Sequence, residues 1–150
     1  MPKTLNLRQY VKRRTGIPLG GRGSLRQMLV RSLGANSFAG FWRYWNPIWS
    51  YYLSRYVMKP CNRILPSSIA TVVTFVISGA LHDLAVILVK WKMTYFFTPW
   101  FFYMGVAVVV LNKLNLSYQK LPWLLRASLN VGTLGLCFWL TTATSQLFSG

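Results

Sequence analysis

Three long apolar runs, Ser67 to Val89, Thr94 to Leu111 and about Leu124 to Leu147, constrain what this chain can fold into more than anything else in it. The first holds 23 residues. At about 1.5 Å per residue it makes a helix of roughly 34 Å, long enough to cross the hydrocarbon core of a bilayer. Of the whole chain, 53% is hydrophobic and only 12% charged, with a mean hydropathy of +0.35. That is too apolar for an ordinary soluble domain. The expected fold is an all-α integral membrane protein, with about three transmembrane helices preceded by amphipathic interfacial or re-entrant helices.

Seventeen Lys and Arg stand against one acid, Asp83, for a formal charge of +16, and twelve of those cations lie between Lys3 and Arg63. Beside apolar spans, such a block reads as a cytoplasmic face held against anionic lipid, at roughly 1 kcal/mol per cation near the surface. A bilayer with anionic lipids is therefore an expected partner, and nucleic acid is not. The chain divides into a basic cytoplasmic arm with an interfacial helix, residues 1–36, and a membrane domain, residues 37–150, with spans at about 67–89, 94–111 and 124–147. The opening MPKTLNLRQYVKRR lacks the apolar core of a cleaved signal peptide, so the first apolar run is expected to act as the insertion signal.

Within the arm, residues 1–23 read as a loop or a loosely ordered arm, because Gly16-Ile17-Pro18-Leu19-Gly20-Gly21-Arg22-Gly23 breaks any helix. From Ser24 a short helix is predicted, capped by Ser24, with Leu25, Met28, Leu29 and Leu33 on one face and Gly34 at its end. Arg26 and Arg31 flank that face, which suits a helix lying on the cytoplasmic leaflet. The aromatic stretch from Phe38 to Met58 is interrupted by Arg43, Asn46 and Arg55 and split by Pro47. Asn46 can cap a helix and Pro47 is pre-set for its first position, so two interfacial or re-entrant helices are predicted to meet at Asn46.

Chemistry is concentrated on the first span. Ser67, Thr71, Thr74, Ser78 and His82 recur every three or four residues and share one helical face. Lipid offers them no hydrogen-bond partner, so the stripe faces a protein interior or a wet tunnel. Two readings stay open: a functional site centred on His82, or hydroxyls and an imidazole that tie neighbouring helices together. A second stripe runs Arg43, Asn46, Ser50, Ser54, where Asn46 alone reads first as a helix cap. Asp83 points about 100° away from His82, and its expected role is counter-ion to Arg43 or Arg63. Asn130, Thr133, Thr141, Thr142 and Thr144 read as packing groups of the third run. Cys61 and Cys137 have no CxxC spacing and suggest neither a disulfide nor a metal site, and the glycine-rich stretch lacks the phosphate-loop pattern.

Taken together, SFAGFWRYWNPIWSYYLSRYVMKPCNRIL and ATVVTFVISGALHD, about residues 37–90, resemble the membrane-bound O-acyltransferase family, and among its branches the wax-synthase and sterol or diacylglycerol acyltransferase type. The elements that carry the likeness are Phe41-Trp42, Arg43 and Trp45-Asn46, then Arg55-Tyr56-Val57 with Pro60 and Arg63, then Ser78-Gly79 and His82-Asp83. Aspartate at 83 stands where the family more often has glutamate. The resemblance implies transfer of an acyl group from an acyl thioester, commonly acyl-CoA, to a hydroxyl acceptor inside a chamber in the membrane. It makes His82 the general base and Asn46 the group that orients the acceptor or the histidine, or stabilises developing charge. It places substrate contacts at Arg43, Trp45, Ser78, Arg55 and Arg63, the arginines toward the CoA phosphates. Acyl-CoA is then a co-substrate, and no bound cofactor is implied. A non-catalytic subunit or scaffold of the same descent is the alternative.

Members of that family are usually several hundred residues long with many more spans, so the chain corresponds to the part that bears the motifs. Three spans enclose an acyl tunnel poorly, and Asn130 and Thr141 prefer protein neighbours. A homo-oligomer or a second membrane subunit is therefore expected, with Gly132 and Gly135 allowing close approach. The expected location is a bacterial inner membrane or an ER-type membrane. With the basic arm inside, three spans place the C-terminus on the opposite side. Reporter fusions test this, and a reporter at Gly150 that reads out in the cytoplasm overturns it.

Overall fold

The computed structural model describes residues 4–150, so Lys3 and the expected cytoplasmic Met1 lie outside the described residues. Within the segment 1–23, expected to lack a helix, nine residues form one, α1 (Leu7–Thr15). Its start is a capping box: Asn6 accepts from the Gln9 amide at 2.9 Å while the Gln9 side chain accepts from the Asn6 amide at 3.1 Å. Lys12, Arg13 and Arg14 complement the dipole in the last turn, and Gly16 closes it at φ 77°, donating its amide to Lys12. The turn-rich stretch breaks the chain only after this helix is complete. Arg31 then donates to the Arg14 carbonyl at 3.0 Å, tying the end of α1 to α2 (Ser24–Leu33). Ser24 does not cap α2. Gly23 takes that position in a left-handed conformation, φ 78°, and Ser24 is already helical.

The aromatic stretch breaks where expected. Ser37 caps α3 (Phe38–Tyr44) by accepting from the Gly40 amide, and α4 (Pro47–Leu53) starts with Pro47 at its first position. Between them Asn46 sits at φ 40°, a region that asparagine tolerates better than most residues. A π-helical turn, Ser54–Met58, and a short α5 (Lys59–Asn62) follow. Pro60, which has no amide hydrogen and crowds the preceding turn, lies two residues after the end of the π turn.

The apolar runs form α6 (Ser67–Lys90), α7 (Phe97–Lys113) and α8 (Trp123–Ser149). By length and composition α6 and α8, at 24 and 27 residues, are able to cross a membrane. The middle helix begins three residues later than expected and holds 17 residues, about 26 Å, at the short limit for a span. The delay has a physical cause in Asp83, which does not pair with Arg43 or Arg63. Its carboxylate accepts from the amides of Phe96, Phe97 and Thr98 at 3.0, 2.9 and 2.8 Å and from the Thr98 hydroxyl at 2.6 Å. The lone acid of the chain thus caps α7, where orphan amides and the helix dipole receive a negative charge.

Two glycines let α6 and α7 touch. A Cβ on Gly79 would lie 2.6 Å from the Phe97 carbonyl oxygen, and one on Gly105 would lie 2.9 Å from the Phe75 Cβ. Close backbone approach of this kind is how helices gain packing energy in lipid. The core is the cluster of Ala35, Phe38, Phe41, Phe101, Met104, Val108 and Cys137, which joins α3 to α7 and α8. Phe41 stacks on Trp45 at 5.4 Å and meets Trp42 edge-on at 5.1 Å, contacts worth about 1 kcal/mol each beyond their area.

The polar groups of α8 find their partners within the chain, which removes one motive for expecting a second subunit. Asn130 is fully buried and donates to the Leu33 and Ala35 carbonyls at 2.8 and 3.2 Å, while the Tyr118 hydroxyl donates to its side-chain oxygen. Burial raises the pKa of the Tyr118 phenol, which keeps it a donor. Thr133, Thr141, Thr142 and Thr144 bond carbonyls of their own helix. Gly132 and Gly135 face open space. Because charge-assisted bonds are worth about 1.5–3 kcal/mol each and some backbone bonding survives, Asp83→Ala is expected to destabilise the chain by about 2 kcal/mol or more. Thermal unfolding in detergent measures this, and an unchanged midpoint would mean that packing alone holds α7.

Candidate active site

α3, α4, α6 and α7 line a half-open cavity of about 690 Å³, to which α1, α2 and α8 also contribute residues. That is in the usual range for ligand sites, and the lining is mostly aromatic and aliphatic with a few convergent polar groups. His82, Asn46, Ser78 and Trp49 are among the residues that bring polar atoms to its lining.

The histidine is held in one orientation. Its Nδ1 lies 2.6 Å from the Ser78 carbonyl oxygen one turn earlier. A carbonyl only accepts, so Nδ1 carries the hydrogen, and of the two neutral tautomers this bond selects the one whose lone pair is on Nε2. The ring is flanked by Phe101 at 4.9 Å, Phe97 at 5.6 Å and the Trp49 edge at 5.8 Å. Phe97 and Phe101 reach it because Gly79 admits α7 and Asp83 fixes where α7 begins. His82 and Asp83, adjacent in sequence, thus serve two surfaces of one helix, the imidazole toward the cavity and the carboxylate toward α7.

Asn46 lines the same cavity from the break between α3 and α4. Its side-chain oxygen accepts from the Trp49 amide at 3.3 Å, and its own amide points at the Met28 sulfur at 3.3 Å. Trp49 then donates its indole hydrogen to the Ser78 hydroxyl at 3.0 Å. Asn46 and Trp49, Trp49 and Ser78, and Ser78 and His82 are thus bonded pairwise, through different atoms of Trp49 and Ser78, and the indole bond joins the aromatic segment to α6. Sequence spacing did not single out Trp49. The available signal was its place three residues after a capping Asn, combined with the need of a buried indole for an acceptor.

The remaining expected residues divide. Arg43, Trp45 and Ser78 line the cavity, whereas Arg55 and Arg63 do not. Arg55 is exposed and donates to the Tyr51 hydroxyl at 2.6 Å, a bond that raises its already high pKa. Arg63 is exposed after α5. The α6 stripe divides too: Thr74, Ser78 and His82 face the cavity, and Thr71 bonds the Ser67 carbonyl. Tyr10 and Arg14 of α1 join the lining unforeseen, because a segment read as a loop gave no face to assign. Among the described residues the lining holds no carboxylate, so its ionisable character is that of Arg14, Arg43 and His82. An imidazole whose Nδ1 is engaged by a carbonyl and whose ring lines a cavity is equipped, in its neutral form, to take a proton from a hydroxyl.

Comparison with known proteins gives one match: the model of MBOAT, the membrane-bound O-acyltransferase family, covers residues 23–141. No curated protein and no solved structure matches the chain. The bond between Trp49 and Ser78 has a measurable consequence. A double-mutant cycle of Trp49→Phe and Ser78→Ala is expected to give a coupling of about 1 kcal/mol in thermal unfolding, and strictly additive effects would show that the contact contributes nothing.

Proposed function

The chain belongs to the membrane-bound O-acyltransferase family, and from that premise we propose that it moves an acyl group from an acyl thioester, acyl-CoA, to a hydroxyl acceptor within its membrane cavity. The observation that carries the reading is the orientation of His82, whose Nδ1 is occupied by the Ser78 carbonyl while the ring lines a cavity shared with Asn46. The acceptor hydroxyl loses its proton to Nε2 as its oxygen attacks the thioester carbonyl. The tetrahedral intermediate then expels the thiolate, and the imidazolium returns the proton to give free CoA thiol and the ester. Asn46 orients the acceptor or stabilises the developing oxyanion. Arg43, Trp45 and Ser78 act as substrate contacts or supports. No bound cofactor enters this scheme.

The likeness to the wax-synthase and sterol or diacylglycerol branch makes a lipid alcohol the preferred acceptor. The arm faces a cytoplasmic leaflet rich in anionic lipid, in a bacterial inner membrane or an ER-type membrane, and the open glycine face of α8 serves contact with a second copy or another membrane subunit. A purely structural subunit would have reason to seal His82 and Asn46 behind packed side chains, and the cavity favours the catalytic reading. Since general-base catalysis contributes about 100-fold or more, His82→Ala and Asn46→Ala are each expected to lower CoA release from acyl-CoA by at least tenfold. Membranes carrying equal amounts of each variant provide the comparison. If both variants keep full turnover, the histidine ties helices together and the catalytic reading is lost.

A further inference from the structure

The cavity has a charged side of which the acyl-transfer scheme uses Arg43 and leaves Arg14 without a role. Arg14 and Tyr10 reach it from α1, a helix that ends before residue 23, where the family match begins. The Arg14 Nε is fully buried and has no hydrogen-bond partner, and its guanidinium lies 4.9 Å over the Tyr10 ring. Arg43 lines the same cavity from α3. A buried guanidinium nitrogen without an acceptor is costly, and a protein ordinarily meets it with a carboxylate. This chain has one acid, Asp83, and its oxygens are taken up at the start of α7. No carboxylate of the chain is left for the α1 wall, so an anion bound there comes from outside the chain.

The anion can be described further. Most of the remaining lining is apolar, so the ligand is an amphiphile with a negatively charged end. If His82 marks the reacting end, the acyl carboxyl is already tied up there as an uncharged thioester, and the anion belongs to the other end of a substrate. Two guanidinium groups on separate helices suit an anion with several acceptor oxygens. We propose that Arg14, with Arg43, forms a phosphate-binding subsite that α1 adds to the cavity and that anchors the phosphate-bearing end of an amphiphilic substrate. The phosphate is carried either by the CoA part of the donor or by a phospholipid headgroup. The assignment of which end lies where rests on the proposed acyl transfer, whereas binding itself does not.

Binding is therefore the test, read by quenching of cavity tryptophans in the full chain held in a non-ionic detergent. The probes are palmitoyl-CoA, palmitoyl-pantetheine, which lacks the phosphates, and palmitoyl lysophosphatidate. Arg14→Met is expected to weaken at least one phosphate-bearing probe by roughly tenfold, with palmitoyl-pantetheine unchanged and Arg14→Lys intermediate between Arg14→Met and wild type. Loss confined to palmitoyl-CoA assigns the subsite to the donor, loss confined to lysophosphatidate assigns it to a lipid headgroup, and loss of both marks a shared phosphate site. Arg43→Gln, at an exposed position where folding is not at stake, should give the same selective loss. Arg13→Met, on the exposed side of α1, should change nothing. The proposal is overturned if both phosphate probes bind the Arg14→Met and Arg43→Gln variants as tightly as wild type, if the neutral thioester weakens equally, or if Arg13→Met has the same effect. A chain that shows this selectivity yet transfers no acyl group would sink the proposed function and leave the subsite standing.

Discussion

Four hydrogen bonds converge on Asp83 at the start of α7, and the walls of the cavity depend on that junction. In a chain with one acid there is no second carboxylate to take its place. By fixing where α7 begins, Asp83 decides that Phe97 and Phe101 lie against the imidazole, and Gly79 gives their helix the room to come so close. Moving α7 by one residue would rotate its aromatic face by about 100° and remove the ring on which His82 rests. The aspartate thus shapes the site without touching the cavity chemistry.

Membrane depth explains why so many polar side chains bond their own helix. Thr71, Thr74, Thr133, Thr141 and Thr144 each donate to a carbonyl one turn earlier, leaving few polar groups free for other work. Against that background, the groups that bond across elements identify the organisation of the chain. Trp49 to Ser78 joins the aromatic segment to α6, and Asn130 joins α8 to the turn between α2 and α3. With unsatisfied groups so expensive in lipid, these few bonds fix which helices meet.

The arm has two roles that its charge alone would merge. Exposed cations such as Arg8, Lys12, Arg13 and Arg26 present a basic surface suited to anionic lipid. Arg14 and Arg31 turn inward instead, one lining the cavity and the other bonding the end of α1. The capping box at Asn6 and the left-handed Gly16 set the phase of α1, and that phase places Arg14 rather than Arg13 at the cavity.

What the sequence determined by itself was whatever depends on local spacing: the apolar lengths of α6 and α8, the break at Asn46-Pro47, and the face of α6 that carries Ser78 and His82. These follow from helix periodicity and backbone stereochemistry, which act over a few residues. The likeness of residues 37–90 to a family assigned Asn46 and His82 to one site, and both line the same cavity. Tertiary structure alone decided the partner of Asp83, the entry of Arg14 and Tyr10, the exclusion of Arg55 and Arg63, and the bridging role of Trp49. An aspartate satisfies its charge equally well with an arginine or a helix start, and an indole with any acceptor. Which one it meets depends on which helices pack together, and here that was set by residues far apart in the chain, Gly79 against Phe97 and Asn130 against Ala35.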